Sequence, residues 1–406
     1  MGFPRIKSGV NPTYTVRQWK GNDMSTSPIT CIEDLHRLYL KRVPRMFVDY
    51  CESGSWTEAT LRRNLEDFAQ IQLHQRVAMG VEGGTTTTKM LGEEVALPLA
   101  LAPVGLCGMQ HADGEMLAAK AALDFGVPFT LSTMSVCSIE DVAAFVKRPF
   151  WFQLYVMRDH AFIERLIDRA KAAGCSALVL TLDLQVMGQR HRDIKNGLST
   201  PPKPTLRNLA NLALHPRWCL GMARTRRHQF GNIAGHVEGV SDMSSLAAWT
   251  AEQFDRGLNW NDVEWIKQRW GSKLIMKGVL DPDDARRAVD CGAEAVVVSN
   301  HGGRQLDGAP SSISMLPEIA SRVGGDCEVW LDGGVRSGQD VLKAIALGAR
   351  AVMLGRAFVY GLGAMGEAGV TTMLELIRRE LDLTMVLCGV RSVAEIDRRV
   401  LHEPAL

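Results

Sequence analysis

The run GCSALVLTLD at 174–183 recurs in altered form as GAEAVVVSN at 292–300 and as GARAVMLGR at 348–356. In each copy a glycine closes a segment of helical periodicity, an alanine follows three residues later, and an unbroken apolar stretch leads to a polar end. Glycine suits the left-handed position just past a helix, and a strand without alternation suits a parallel sheet covered on both faces. Further short apolar runs stand at 98–103, 128–132, 150–155, 273–278 and 328–332, which with 177–183, 295–300 and 351–355 gives eight strand candidates. Between them Ser138 with Asp141 and Ser337 with Asp340 pattern as capping boxes, and Asp281-Pro282 as a cap followed by proline at the first helical position.

Eight successive βα units predict an α/β fold, a (β/α)8 TIM barrel over about 97–390, with its chemistry at the C-terminal strand ends. Ile32 to Phe68 reads as a helical extension expected to cover the barrel's base or side, and residues 1–30 as a disordered leader. An overlong segment, about 195–258, is expected as an insertion on the active-site face between strand four and its helix. One catalytic domain is expected over 31–396.

The chain has 406 residues with 46 basic against 45 acidic side chains, 46% hydrophobic and 22% charged. This composition excludes a disordered or collagen-like protein and gives no overall footprint for nucleic acid. The nine cysteines are scattered without a CxxC pair, which predicts free thiols, no metal and a cytoplasmic location. The longest apolar stretch, Val95 to Met109, is broken by Pro98 and Pro103, so no membrane span is expected.

SNHGGRQLD at 299–307 follows the sixth strand. His301 can take a proton near neutral pH, and Arg304 can grip a carboxylate in a bidentate fork. Asp183 and Thr181 end the fourth strand with Arg190 beyond them, and a carboxylate there can orient the histidine. Lys277 is a lone charge ending the apolar fifth strand, which suggests an anionic cofactor edge. Gly333-Gly334 before Arg336, and Gly355 before Arg356, are placed where barrels hold phosphate on backbone amides. Gln153 and Tyr155 form a polar pair on the third strand. Each also has a plainer structural reading: a glycine turn, a rim ion pair or a satisfied buried polar group.

Gly361-Leu-Gly363-Ala-Met-Gly366 matches a dinucleotide fingerprint, but a helical pattern and no further strand follow, so a Rossmann role is not expected. Between Asp193 and Glu238 there is no carboxylate, whereas Lys203, Arg207, Arg217, Arg224, Arg226 and Arg227 are interleaved with Trp218, Leu220 and Met222. That surface suits an anionic lipid face or a solvated lid.

These residues, with LAPVGL at 101–106, WFQLYV at 151–156, LDGGVRSG at 331–338 and LGRA at 354–357, resemble the FMN-dependent 2-hydroxy-acid oxidases and dehydrogenases from about Ile32 to Ile396. LAPVGLCGM, LSTMSVCSIE and GRAFVYGL look closest to the bacterial L-lactate dehydrogenases. The resemblance implies an FMN enzyme that oxidises an L-2-hydroxy acid to the 2-keto acid, L-lactate to pyruvate being favoured. It makes His301 the base and Asp183 its partner, with Arg190, Arg304, Tyr50 and Tyr155 binding or orienting substrate. It assigns the flavin to Pro103, Val104, Gly105, Ser132, Gln153, Thr181, Lys277 and Ser299, and the ribityl chain and phosphate to Asp332, Gly333, Gly334, Arg336, Gly355 and Arg356. Whether proton and hydride or a carbanion intervene stays open. Gly105, where oxidases often carry alanine, favours a quinone or cytochrome acceptor over oxygen. Met134, where glycolate oxidase has tryptophan, keeps mandelate or another larger acid as an alternative. A homotetramer would be in keeping with the family, and the basic insertion would make it peripheral on the inner face of the cell membrane.

Overall fold

The structure, a computed structural model, describes residues 28–196, 205–237, 249 and 252–402. The expected disorder of the leader therefore lies, up to residue 27, outside the described residues, as do Lys203 and Glu238.

A hairpin of β1 (Thr88–Met90) and β2 (Glu93–Val95) precedes the eight barrel strands. These are β3 (Leu99–Leu101), β4 (Thr130–Ser132), β5 (Trp151–Tyr155), β6 (Ala177–Thr181), β7 (Lys273–Val279), β8 (Ala295–Val298), β9 (Glu328–Asp332) and β10 (Ala351–Leu354). They pair in parallel in the order β3-β10-β9-β8-β7-β6-β5-β4, and a parallel bridge between Leu101 and Phe129 brings the two ends together. Each expected strand is present. The repeated glycines 174, 292 and 348 all adopt positive φ, between 76° and 109°. Ser138 and Asp141 form the reciprocal capping box, Asp281 accepts from Asp283 and Asp284, and Ser337 caps Asp340.

Strand alternation separates the barrel interior into layers. Ala100, Trp151, Val179, Ile275, Val297, Trp330 and Met353 fill its middle, with the two indoles stacked at 5.3 Å. Toward the C-terminal ends of the strands the inward positions turn polar: Ser132, Gln153, Tyr155, Thr181, Lys277, Ser299 and Asp332. An apolar plug thus supports a chemical floor at the C-terminal face.

The base is closed by the hairpin, not by the helices before it. Met90 and Val95 join the interior cluster, while Lys273 bonds Leu91 O (3.0 Å) and Glu93 (2.8 Å), and Leu91 N–H donates to Glu328 (2.8 Å). Helix α1 (Ile32–Arg42) lies on the barrel's side, and α2 (Arg45–Glu52) and α3 (Ala59–Gln70) reach the opposite, open face. Of the two expected places, base or side, the helices cover the side.

The fingerprint glycines serve helix packing. A Cβ on Gly361 would lie 2.4 Å from Gly369 O, and one on Gly363 would lie 2.5 Å from the Tyr39 ring. They let helix Arg356–Met365 cross helix Glu367–Cys388 and α1 closely.

Helix His191–Lys195 leads into the insertion, within which helices Leu206–Ala213 and Pro216–Arg224 are described. Leu206, Leu209, Leu214 and Leu220 are exposed, at 85%, 54%, 76% and 52%. Arg227 instead pairs with Asp113 (3.0 Å) and Asp141 (2.7 Å), Trp218 donates to Met109 O and stacks on Phe47, and Met222 is buried. These three anchor the insertion to the barrel rather than face outward.

Candidate active site

The polar layer opens into a pocket lined by Tyr50, Tyr155, Arg190, Lys277, His301 and Arg304 on one part of its wall. His301 sits just past β8 at φ +57°, with its N–H on Ser299 Oγ (3.1 Å) and its Nδ1 2.8 Å from Asp183 Oδ1. Asp183 lies two residues beyond β6, beside a register shift in β7 between Lys277 and Val279. The residue in that shift, Gly278, has φ +96°, and a Cβ there would stand 2.6 Å from Asp183 Cγ. With Nδ1 engaged, Nε2 is the ring nitrogen left to accept a proton. Burial pushes the imidazole below its ordinary value of 6.5, Asp183 partly restores it, and Lys277 and Arg190 lower it again. The ring is neutral at pH 7, as a base must be.

Arg304 lies over the Tyr50 ring at 4.9 Å and donates through Nη1 to Tyr50 O (2.6 Å) and Ser53 O (2.9 Å). Arg190 is buried, 3.8 Å from Asp193, and burial together with the Arg304 charge brings its guanidinium down to about 10. Two guanidiniums repelling each other in one buried wall favour an anion between them. Burial raises the phenols of Tyr50 and Tyr155, keeping both protonated as donors.

Lys277 Nζ lies 2.9 Å from Asp332 Oδ2 and 3.1 Å from Ser299 Oγ, which itself donates to Asp332 (2.7 Å). Burial opposes both charges, but their attraction wins: the ammonium is raised and the carboxyl held below its ordinary value. Ser132 Oγ donates to Gln153 Oε1 (3.2 Å), whereas Gln153 Nε2 and Thr181 Oγ1 are buried without a partner. Buried polar atoms left open beside a fixed cation suit the polar edge of a flavin ring. Pro103, Val104 and Gly105 form a neighbouring wall. Gly355 opens helix Arg356–Met365 with no side-chain cap and lines the pocket, leaving amides for a phosphate. The residues present therefore fit FMN.

The two arginines expected near the phosphate line the pocket and are also bonded to the backbone. Arg356 donates to Cys51 O, Gly302 O and Ser53 O at 2.9–3.1 Å, so its guanidinium ties loops together at the pocket wall. Arg336 bonds Val335 O and lies over Tyr360 at 5.8 Å, while Gly334 is required by α3, since a Cβ there would be 2.0 Å from Asn64 O. Gly333 also has positive φ.

Sequence reasoning missed the residues that hold the others. Gly278 was discoverable, because glycine interrupting an apolar strand marks a bulge. Gln305 donates to Asp183 O (2.7 Å) and Val186 O (2.8 Å) and accepts from Gly188, coupling the loops after β6 and β8. Asn64 and Asn300 form a buried amide pair.

The profile of the FMN-dependent dehydrogenase family matches residues 40–403. The chain is 47% identical over 376 residues to an L-lactate dehydrogenase of Caulobacter vibrioides (strain NA1000 / CB15N), covering 92% of this chain and 98% of the relative. It is 46% identical over 383 residues to an L-lactate dehydrogenase of Xanthomonas campestris pv. campestris (strain B100), covering 93% and 99%. A crystal structure of (S)-mandelate dehydrogenase, described as a monotopic membrane protein, superposes with a TM-score of 0.88 at 36% identity over 93% of this chain and 100% of that one. A mandelate oxidase superposes with a TM-score of 0.79 at 39% identity, over 92% and 98%.

Proposed function

Because the chain belongs to the FMN-dependent dehydrogenase family, we propose that it oxidises an L-2-hydroxy acid to the 2-keto acid, with L-lactate as substrate and pyruvate as product. The observation that carries this reading is His301 Nδ1 held at 2.8 Å by Asp183 in a pocket that also presents Arg190 and Arg304. When bound, FMN supplies the two-electron acceptor. Arg190 and Arg304 hold the substrate carboxylate, Tyr50 and Tyr155 orient its hydroxyl, and His301 Nε2 takes the proton while Asp183 stabilises the resulting imidazolium. Lys277 would hold its positive charge beside the polar edge of the flavin. Pro103, Val104, Gly105, Ser132, Gln153, Thr181, Ser299, Gly333, Gly334 and Gly355 seat the cofactor, with Asp332, Arg336 and Arg356 around its phosphate arm.

Electrons pass on to a quinone or cytochrome, and the protein docks peripherally on the cell membrane. No described helix is long and apolar enough to cross a bilayer. The exposed leucines of the insertion, beside Arg207, Arg217, Arg224 and Arg226, support a monotopic contact of the kind named for the (S)-mandelate dehydrogenase. A second apolar face, with Val77, Met79, Val386 and Leu387 exposed, supports assembly into a homotetramer. Within the chain, 31–396 acts as one catalytic domain and 195–258 as its insertion.

A second substrate reading rests on the pocket wall. Met134, Leu184, Met187, Phe230 and Phe254 are apolar, and Met134 and Met187 are unbranched and adaptable, which admits mandelate. The deciding experiment is the visible spectrum of the purified protein under anaerobic addition of L-lactate and, separately, L-mandelate. Bleaching by lactate at the lower concentration is expected. Bleaching by mandelate alone would transfer the assignment, and bleaching by neither would remove both.

A further inference from the structure

The loop that carries His301 is held from outside the barrel. Thr57 and Thr60 donate backbone amides to Asp307 at 2.9 Å, Ser55 N–H donates to Gly303 O (2.9 Å), and Thr60 Oγ1 donates to Ala309 O (2.9 Å). A Cβ on Gly303 would lie 2.5 Å from Leu61 N, so the loop rests directly on the start of α3. At the centre of this contact Asn64 and Asn300, 2% and 4% exposed, exchange two amide bonds of 2.8 Å, each Nδ2 donating to the other's Oδ1.

Further bonds tie the pair to the loop and to the helix that follows it. Asn300 Oδ1 accepts Gly303 N–H (3.0 Å) and its Nδ2 donates to Pro310 O (3.1 Å), while Asn64 Oδ1 accepts Ser312 N–H (3.2 Å). Asn300 immediately precedes His301, whose φ of +57° is a conformation that a residue with a Cβ keeps only when its surroundings fix it. Neither asparagine lines the pocket, so neither is needed for contact with substrate.

We propose that Asn64 is a positioning residue for proton abstraction. Through its reciprocal amide pair with Asn300 it fixes the backbone that aims His301 Nε2 at the substrate, and the helices ahead of the barrel thereby belong to the catalytic apparatus. The inference rests on the proposed oxidation of a 2-hydroxy acid. Asparagine suits the role because one side chain both donates to and accepts from Asn300. Aspartate keeps the acceptor for Asn300 Nδ2 and Ser312 N–H but opposes Asn300 Oδ1, which cannot turn away without abandoning Gly303 N–H.

The test is rapid-mixing reduction of the FMN-loaded protein by L-lactate without oxygen, in wild type, Asn64→Ala and Asn64→Asp. The limiting rate in Asn64→Ala is expected to fall ~10- to 100-fold, the scale of a misplaced catalytic group, with apparent lactate affinity within about threefold of wild type. FMN content and flavin absorption maxima should be unchanged, and Asn64→Asp should fall between the other two. A limiting rate within twofold of wild type would overturn the proposal, as would an equal loss in rate and affinity. If Asn64→Ala does not fold, Asn64→Asp decides by the same criteria. If lactate fails with wild type, the acid that bleaches it replaces lactate; a wild type that no 2-hydroxy acid bleaches removes the underlying reading instead, so the two failures are told apart.

Discussion

Gly278 lies directly against Asp183: a Cβ on the glycine would stand 2.6 Å from the carboxyl carbon, on backbone held at φ +96°. The partner of His301 thus owes its place to a residue with no side chain. Gly278→Ala should force Asp183 off the imidazole and lower flavin reduction by about 100-fold, with FMN retained. Anaerobic reduction rates and the bound-flavin spectrum check this; a rate near wild type would show that Asp183 is placed by other contacts.

The pH dependence of substrate oxidation should follow His301. Its folded value is lowered, so the unprotonated base accumulates as pH rises through a midpoint below 6.5 and stays available above it. Asp183 is the influence that raises the value, so Asp183→Asn should move the midpoint lower still. The same change should cut the rate by on the order of 10²–10⁴-fold, because an amide no longer enforces the tautomer. A midpoint above 6.5 in wild type would remove His301 as the titrating base.

Lys277→Met should convert Asp332 from a paired to an unpaired buried carboxylate, at a cost of about 3–5 kcal/mol. The sign of the pH effect should also reverse. In wild type the folded value of Asp332 is depressed, so its contribution is present above the unfolded value of about 3.8 and is lost as pH falls through the folded value. Without the lysine, burial dominates and raises the folded value, so stability is lost as pH climbs above the unfolded one. Thermal melts between pH 5 and 7 should therefore show the variant gaining relative to wild type on acidification. Parallel curves would contradict the pairing.

Replacing Leu206, Leu209, Leu214 and Leu220 together with serine should weaken sedimentation with vesicles of mixed neutral and anionic lipid by about 10-fold or more, while leaving lactate-dependent bleaching intact. The loss removes apolar contact but keeps the arginines, so salt sensitivity should persist. Unchanged sedimentation would assign membrane contact to another surface.

The barrel and its reactive side chains were legible because strands buried on both faces read as unbroken apolar runs, and because His301, Arg304, Asp183 and Lys277 all stand at strand ends. The hairpin at 88–95 left no such trace: each strand has three residues and only one buried side chain. Asn64 did leave a trace, since it shares the buried face of α3 with Thr60 and Phe68 at a spacing of four. A lone amide on a core stripe carries that signal, but only the folded chain names its partner. Arg227 failed as a surface cation for the opposite reason: Asp113 and Asp141, which bind it, are distant in sequence.

The hairpin plug also governs traffic. With Met90 and Val95 packed into the lower end of the barrel, the pocket is the doorway at its upper end, and the insertion, through Phe230 and Phe254, is the lintel. The hydroxy acid arrives and the keto acid departs there, and whatever collects the electrons must queue at the same threshold. Occupancy by one visitor excludes the next, so the two half-reactions alternate. Steady-state plots against lactate at several acceptor concentrations should run as parallel lines.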